Sequence, residues 1–322
     1  MPADETARPE QETQQVPEPI SAWEQRYQDL VARVHNALRG PEAAGERLAT
    51  PPGHFYSPIP ALSDLLAHAD RVWPSPPPRT LAAIDLNEQH QLEILAELAT
   101  FYAEQPWSDE KQEGLRYYFL NPMYSYADAL YLYGMLRKVR PQRLIEVGSG
   151  YTSSVTLDTS DRFLGGQIQC TFVDPDPQRL YSLLTEEDHK RATIIPKQVQ
   201  DVPLSTFEPL GANDILFIDS SHISKADSDV NYLFFEVLPR LASGVYVHIH
   251  DVFYPLEYPR DWLEDGRHYN EDYLLRAFLM YNDAFTMELF GSYLYTFHAD
   301  EMRRLMPLTL HNPGASLWLR KR

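Results

Sequence analysis

Cysteine is nearly absent: Cys170 is the only one among 322 residues. No intrachain disulfide can form, and nothing in the sequence signals an oxidising compartment. Cys170 lies in an apolar run and reads as an inert core residue rather than a nucleophile. Positive charge is also scarce. Lys and Arg number 28 against 46 Asp and Glu, a net charge of −18. A surface that negative repels phosphate backbones, which argues against nucleic acid as a partner. Long apolar runs are missing. No stretch approaches the roughly 20 residues that span a bilayer, and residues 1–20 lack the basic start and apolar run of a secretion signal. A soluble, cytoplasmic protein without a membrane partner is expected. No internal repeat is evident.

Residues 1–20 are rich in Pro, Glu and Gln and cannot bury enough apolar surface to offset ordering entropy, so a disordered tail is expected there. From 21 to 119 the pattern predicts a helical N-terminal region. Trp23, Tyr27, Leu30, Val31 and Val34 recur at helical spacing, and Ile84, Leu86, Leu92, Ile94, Leu95, Leu98, Phe101 and Tyr102 outline a second apolar stripe. From Arg143 the texture changes. Short β-branched runs (143–148, 168–174, 192–195, 214–219 and 244–251) alternate with helical stretches at 153–163, 178–190 and 225–241. That alternation predicts βαβ units and a mostly parallel α/β sheet over 120–322. A helix near 272–281 and two closing strands, 286–297 and 316–320, complete the prediction. The acidic runs 186–188 and 227–229 read as solvated helix faces.

In such a sheet, ligands bind beyond the carboxyl ends of the strands. The first strand runs into Glu146-Val-Gly148-Ser149-Gly150-Tyr-Thr-Ser153, and the second ends at Asp174. Two glycines let the backbone turn tightly beside a ligand. An acid at the end of the next strand can accept hydrogen bonds from both hydroxyls of a ribose. Ser153 stands where a dinucleotide fingerprint has its third glycine, which disfavours NAD. The sequence from Glu146 to Ser153 resembles the first motif of class I SAM-dependent methyltransferases, and the resemblance runs in strand order through the last 200 or so residues. It implies a Rossmann-like sheet with a reversed last strand and S-adenosylmethionine (SAM) as cofactor or co-substrate. It also implies Glu146 acting near the methionine amine, Gly148, Ser149, Gly150 and Ser153 along the methionine part, Asp174 on the ribose, and Asp201 and Val202 beside the adenine. The segment Asp219-Ser220-Ser221-His222, with His250-Asp251, resembles a bacterial subgroup labelled methyltransferase family 24.

Those last two strand ends should flank the sulfonium. His222, His250 or Asp251 can act as a general base, since histidine titrates near neutrality. Asp219, His222 and Asp251 can instead ligate a divalent cation, as acids do in metal-dependent O-methyltransferases. The sequence offers Ser and His where those enzymes would have an Asp-Asn pair, so no metal is assigned. The same groups can also serve only as loop and helix caps. Tyr124 and Tyr126, one helix before the first strand, can set a ring or hydroxyl against the sulfonium, or be core aromatics. Tyr254, Tyr258, Trp262, Tyr269 and Tyr273 crowd the loop after the fifth strand, either as a lid or as a packing patch. The leading expectation is methyl transfer to a small molecule. An alternative within SAM chemistry is closure of SAM on itself to azetidine-2-carboxylate and methylthioadenosine, and a third is a binding module without chemistry. The acceptor and the oligomeric state are open; the N-terminal helices can cover the site or make a homodimer contact.

Overall fold

Runs of apolar and β-branched residues bounded by polar turns form the strands of the computed structural model, which describes residues 50–322. The expected tail and the helix over 21–40 lie outside the described residues. The chain divides into two compact units, at His68 and Ala69. The described part of the first holds one short helix, Leu62–Ala67. The second carries a seven-stranded sheet. Its strands are β1 Arg143–Val147, β2 Gln169–Val173, β3 Thr193–Ile195, β4 Ile215–Ile218, β5 Tyr246–Ile249, β6 Phe285–Phe290 and β7 Leu317–Lys321. The order is β3-β2-β1-β4-β5-β7-β6. Every neighbouring pair is parallel except those made by β7, which runs against both β5 and β6. This is the α/β architecture with a reversed last strand that the sequence implies.

Period-2 alternation sends each strand's side chains to two cores. Leu144, Phe172, Phe217 and Trp318 pack beneath the helices Glu88–Tyr102, Tyr126–Val139 and Tyr151–Phe163. Ile145, Val147, Leu216, Ile218, Val247 and Ile249 pack on the other face. Cys170 is buried, and burial pushes its thiol up to about 12, as befits an inert core residue.

Several boundaries differ from expectation. The strand expected over 286–297 ends at Phe290, where the helix Gly291–Leu305 begins. Residues 291–297 have the aromatic content of a strand, but Tyr293 and Leu294 bury themselves from a helix, and the Gly291 N–H donates back to Ser316 O at 2.8 Å. Tertiary packing overrides propensity there. The helix expected from 178 to 190 breaks at Leu184, because Thr185 and Asp188 form a capping box for a new helix, Glu186–Arg191. The helix expected from Lys225 starts at Asp229, where the Ser228 side chain accepts from Asn231 N–H.

The acidic runs are not simply solvated. Asp188 is fully buried, and Arg116 grips it bidentately at 2.7 Å. Arg116 also reaches Asp158 and Asp161 at 2.9 Å, and Trp107 Nε1–H donates to Asp158 at 2.9 Å. The network pins residues 107–121 to the sheet-covering helix Tyr151–Phe163. Burial alone would raise the Asp188 pKa, but Arg116 and the Thr185 cap hold it well below the usual carboxylate range. The stability that Asp188 supplies is therefore present above its unfolded-state pKa and lost as pH falls. Arg116→Met leaves Asp158 buried without a cation and Asp188 with only Arg191, 2.7 Å away, and should cost about 3–5 kcal/mol. Denaturant unfolding at pH 7 measures this; a loss below about 1 kcal/mol, the worth of a surface pair, would mean the network is incidental.

Candidate active site

Backbone hydrogen bonds continue the sheet ladder past the strand ends. Gly148 N–H donates to Val173 O at 2.9 Å, Asp174 N–H to Ile195 O at 3.2 Å, Asp219 N–H to Val147 O at 2.8 Å and His250 N–H to Ile218 O at 2.9 Å. Four sequence-distant residues are thereby set along one edge, at the point where the strand order reverses. A cleft of about 510 Å³ opens there. Gly148, Ser149, Gly150, Asp174, Asp219, Ser220, Ser221, His222, His250 and Asp251 all line it.

The glycine turn and the second-strand acid meet directly. Ser149 N–H donates to Asp174 Oδ2 at 2.9 Å, while Asp176 N–H holds Oδ1 at 2.8 Å. Gly148 is irreplaceable on two counts. Its φ is +82°, and a Cβ there would lie 1.7 Å from the carbonyl oxygen of Asp219. At Gly150, with φ 174°, a Cβ would meet only the flexible stem of Arg179, at 3.2 Å.

Glu146 sits behind the turn, not in the cleft. It is buried, and Oε1 accepts from the hydroxyls of Thr152 and of Ser153, the latter at 2.9 Å. Burial pushes it up to about 8, against the pull of those hydroxyls, so it is largely protonated at neutral pH. Its role is to brace the start of the helix that follows the turn. Ser153 Oγ completes the brace by accepting from Gly150 N–H at 3.2 Å.

Opposite the turn stands a cluster of acids and histidines. His222 Nε2 lies 3.5 Å from both Asp219 Oδ1 and Asp251 Oδ2, and its Nδ1 lies 2.9 Å from Glu271 Oε2. His250 Nδ1 lies 3.5 Å from Asp219 and 3.4 Å from Asp251, and its Nε2 lies 3.5 Å from Asp128. His222 and Asp251 both have positive φ, +58° and +56°. Such backbone is uncommon outside glycine and costs strain. It is what turns Asp251, which strand alternation would send to the opposite face, inward against both imidazoles. Burial would lower both histidine pKa values, but the carboxylates prevail and raise them well above the ordinary value. Desolvation would likewise raise Asp219, yet His250 and His222 hold it well below the carboxylate range. Asp219, His222 and Asp251 bring one donor atom each to within 4.8 Å of one another. One imidazole and two carboxylates suit a first-row transition cation better than magnesium.

Residues 145–252 match the sequence family described as a methyltransferase domain. An uncharacterised protein of Archaeoglobus fulgidus is 30% identical over 167 residues, 51% of this chain and 75% of that protein. Within residues 145–252 the chain carries a methyltransferase domain. Among solved structures, apo CmcI is 18% identical over 69% of this chain and 83% of that one, with a TM-score of 0.38. The O-methyltransferase TomG from Streptomyces achromogenes, in complex with SAM, is 14% identical over 71% and 90%, with a TM-score of 0.40.

Not every expected residue of this methyltransferase reaches the cleft. Tyr126 points away: its hydroxyl donates to Asp109 at 2.8 Å and its ring stacks on Phe119 at 4.9 Å. Tyr124 takes the place beside the site instead, its ring 5.2 Å from that of His250 and its hydroxyl tied to Asp128 O at 2.9 Å. The two rings part because the helix Tyr126–Val139 begins between them. Val202 is a core residue whose carbonyl accepts from Tyr232, and Asp201 does not line the cleft. Ser221 N–H and Oγ both donate to Asp229, at 2.8 and 2.6 Å, so the second acidic run anchors this loop. Of the crowded aromatics, Trp262 and Tyr269 wall the cleft, while Tyr258 is buried beneath them.

Four contributors carried little or no sequence signal. Asp128 and Glu271 lie in the first turns of helices, where acids are commonplace. Arg179 and Arg267 line the cleft from a short helix and a loop. The two glycines separate cleanly by test. Gly148→Ala should destabilise the protein by more than about 3 kcal/mol, whereas Gly150→Ala should stay within about 1 kcal/mol of wild type. Thermal unfolding of the pair measures it, and equal behaviour would refute the contact between the turn and Asp219.

Proposed function

We propose that this methyltransferase binds SAM along the edge formed by β1, β2 and β4 and passes its methyl group to a small molecule held against His222, His250 and Asp251. One observation carries the reading. The bond from Ser149 N–H to Asp174, at 2.9 Å, fuses the turn and the acid into one wall of a cleft whose other wall is the acid–histidine cluster. The ribose hydroxyls donate to Asp174. The methionine part follows the backbone of Gly148, Ser149 and Gly150. Ser149 Oγ and Ser220 Oγ are buried without partners among the described residues and are free to bond SAM's polar groups. Asp219 and the Tyr124 ring face the positive sulfonium. A volume of about 510 Å³ lies within the ~300–1,000 Å³ of small-ligand sites.

The step is an in-line displacement. The acceptor's lone pair forms the new bond to the methyl carbon as the sulfur–methyl bond breaks, and the thioether leaves uncharged as S-adenosylhomocysteine. The acceptor's proton passes to the cluster of His222, His250 and Asp251, where a carboxylate can take it while the imidazoles already carry theirs. Most of the acceleration comes from holding acceptor and methyl close and collinear.

Purified protein incubated with SAM and a panel of small hydroxy and amino compounds should release S-adenosylhomocysteine only when an acceptor is present. Methylthioadenosine from SAM alone would overturn methyl transfer in favour of ring closure. Asp174→Ala should weaken SAM binding by about tenfold or more, since a charged hydrogen-bond acceptor is worth ~1.5–3 kcal/mol. Calorimetry showing unchanged affinity would displace the ribose from this position.

A further inference from the structure

We infer that Glu271 is the positioning residue of the site: it takes Nδ1 of His222 as its partner and so fixes the ring with Nε2, and not Nδ1, turned to the reacting atoms. Its consequence for turnover rests on the proposed methyl transfer; the geometry does not. Glu271 is 1% exposed and His222 is 6% exposed, and the two meet at 2.9 Å through Oε2 and Nδ1. In the ionised pair the carboxylate only accepts, so Nδ1 carries the hydrogen of that contact, as Nε2 carries one toward Asp219 and Asp251. Nε2 then faces Asp219 and Asp251, each 3.5 Å away on the cleft side. The Tyr269 ring, 5.3 Å from the imidazole, walls one side.

The backbone repeats the constraint. Asn270 N–H and Glu271 N–H both donate to His222 O, at 3.1 and 3.2 Å. Asn270 also closes a two-way exchange with Ser224, its Oδ1 accepting at 2.5 Å and its Nδ2 donating at 3.1 Å. Residues 222–224 are thus clamped to residues 270–271, the far end of the aromatic loop that follows β5. That clamp holds His222 at its positive φ. Moving this end of the loop therefore means moving the imidazole, which couples the wall bearing Trp262 and Tyr269 to the group that meets the acceptor. Glu271 Oε1 is buried and has no partner among the described residues, so the carboxylate's contribution is concentrated on the histidine. Burial raises Glu271 and would lower His222, yet each partner opposes that drift in the other.

The test needs no acceptor and no turnover. Long-range proton–nitrogen NMR on the full chain, labelled with 15N-histidine, reads which ring nitrogen bears the hydrogen, and loss of one signal set in His222→Asn assigns the residue. Wild type should show His222 with a slowly exchanging, deshielded Nδ1–H. Glu271→Gln keeps an acceptor and should retain that signal at a smaller downfield shift, whereas Glu271→Leu should abolish it. An unchanged Nδ1–H in folded Glu271→Leu, or a wild-type ring protonated only at Nε2, would overturn the inference. Should the Leu variant not fold, Glu271→Asp decides: its shorter arm should weaken the signal, and full retention would refute the role. Loss of SAM binding in wild type would sink the proposed function and leave this result standing.

Discussion

The site depends on the close approach of two chain segments at a place that admits no side chain. The backbone of Gly148 abuts the carbonyl of Asp219 so closely that a single methyl would overlap it. The same turn reaches sideways through Ser149 to Asp174. Three strand ends are thereby locked at fixed spacing before any ligand arrives. Pre-organisation of this kind spares a bound nucleoside the cost of ordering its own site. Glu146, buried behind the turn, props it through the hydroxyls of Thr152 and Ser153.

The opposite wall is held by charge. Four carboxylates, from Asp128, Asp219, Asp251 and Glu271, surround the imidazoles of His222 and His250. Even with both imidazoles protonated, acids outnumber bases. A sulfonium brought here meets the Asp219 carboxylate, which both imidazoles hold ionised, in a partly dehydrated cleft where electrostatic attraction is stronger than in water. Directly below, His248 is fully buried, stacked on Phe217 at 4.0 Å, and without a hydrogen-bond partner among the described residues. Burial and the nearby charge of His250 drive its pKa well down, so it serves as a neutral floor under the charged pair. Two histidines on one strand, two residues apart, thus differ in character because only one reaches the carboxylates.

Much of this was legible in the sequence, and the limits have physical causes. Buried parallel strands read as continuous apolar runs, which is why β1, β2, β4 and β5 stand where the pattern places them. Their final residues were identifiable for the same reason. The strand expected to reach Phe297 stops at Phe290, because packing of Tyr293 and Leu294 outweighs local preference. Tyr126 and Tyr124 could not be told apart from spacing, since the helix start that separates their directions is a three-dimensional event. Glu271 looked like any acid in the first turn of a helix; only the fold brings it to a histidine 49 residues earlier. Asp188 and Asp229 looked solvated because the partners that claim them, Arg116 and Ser221, are distant or lie in a loop of their own.

The most direct measurement of the central claim is a crystal structure of the protein with S-adenosylhomocysteine. The account predicts the ribose hydroxyls on Asp174, the amino-acid part along residues 148–150, and the sulfur facing Asp219 and Tyr124. An adenosyl group lodged elsewhere, such as the cavity lined by Ala83, Leu279 and Met287 at the β6 edge, would contradict it.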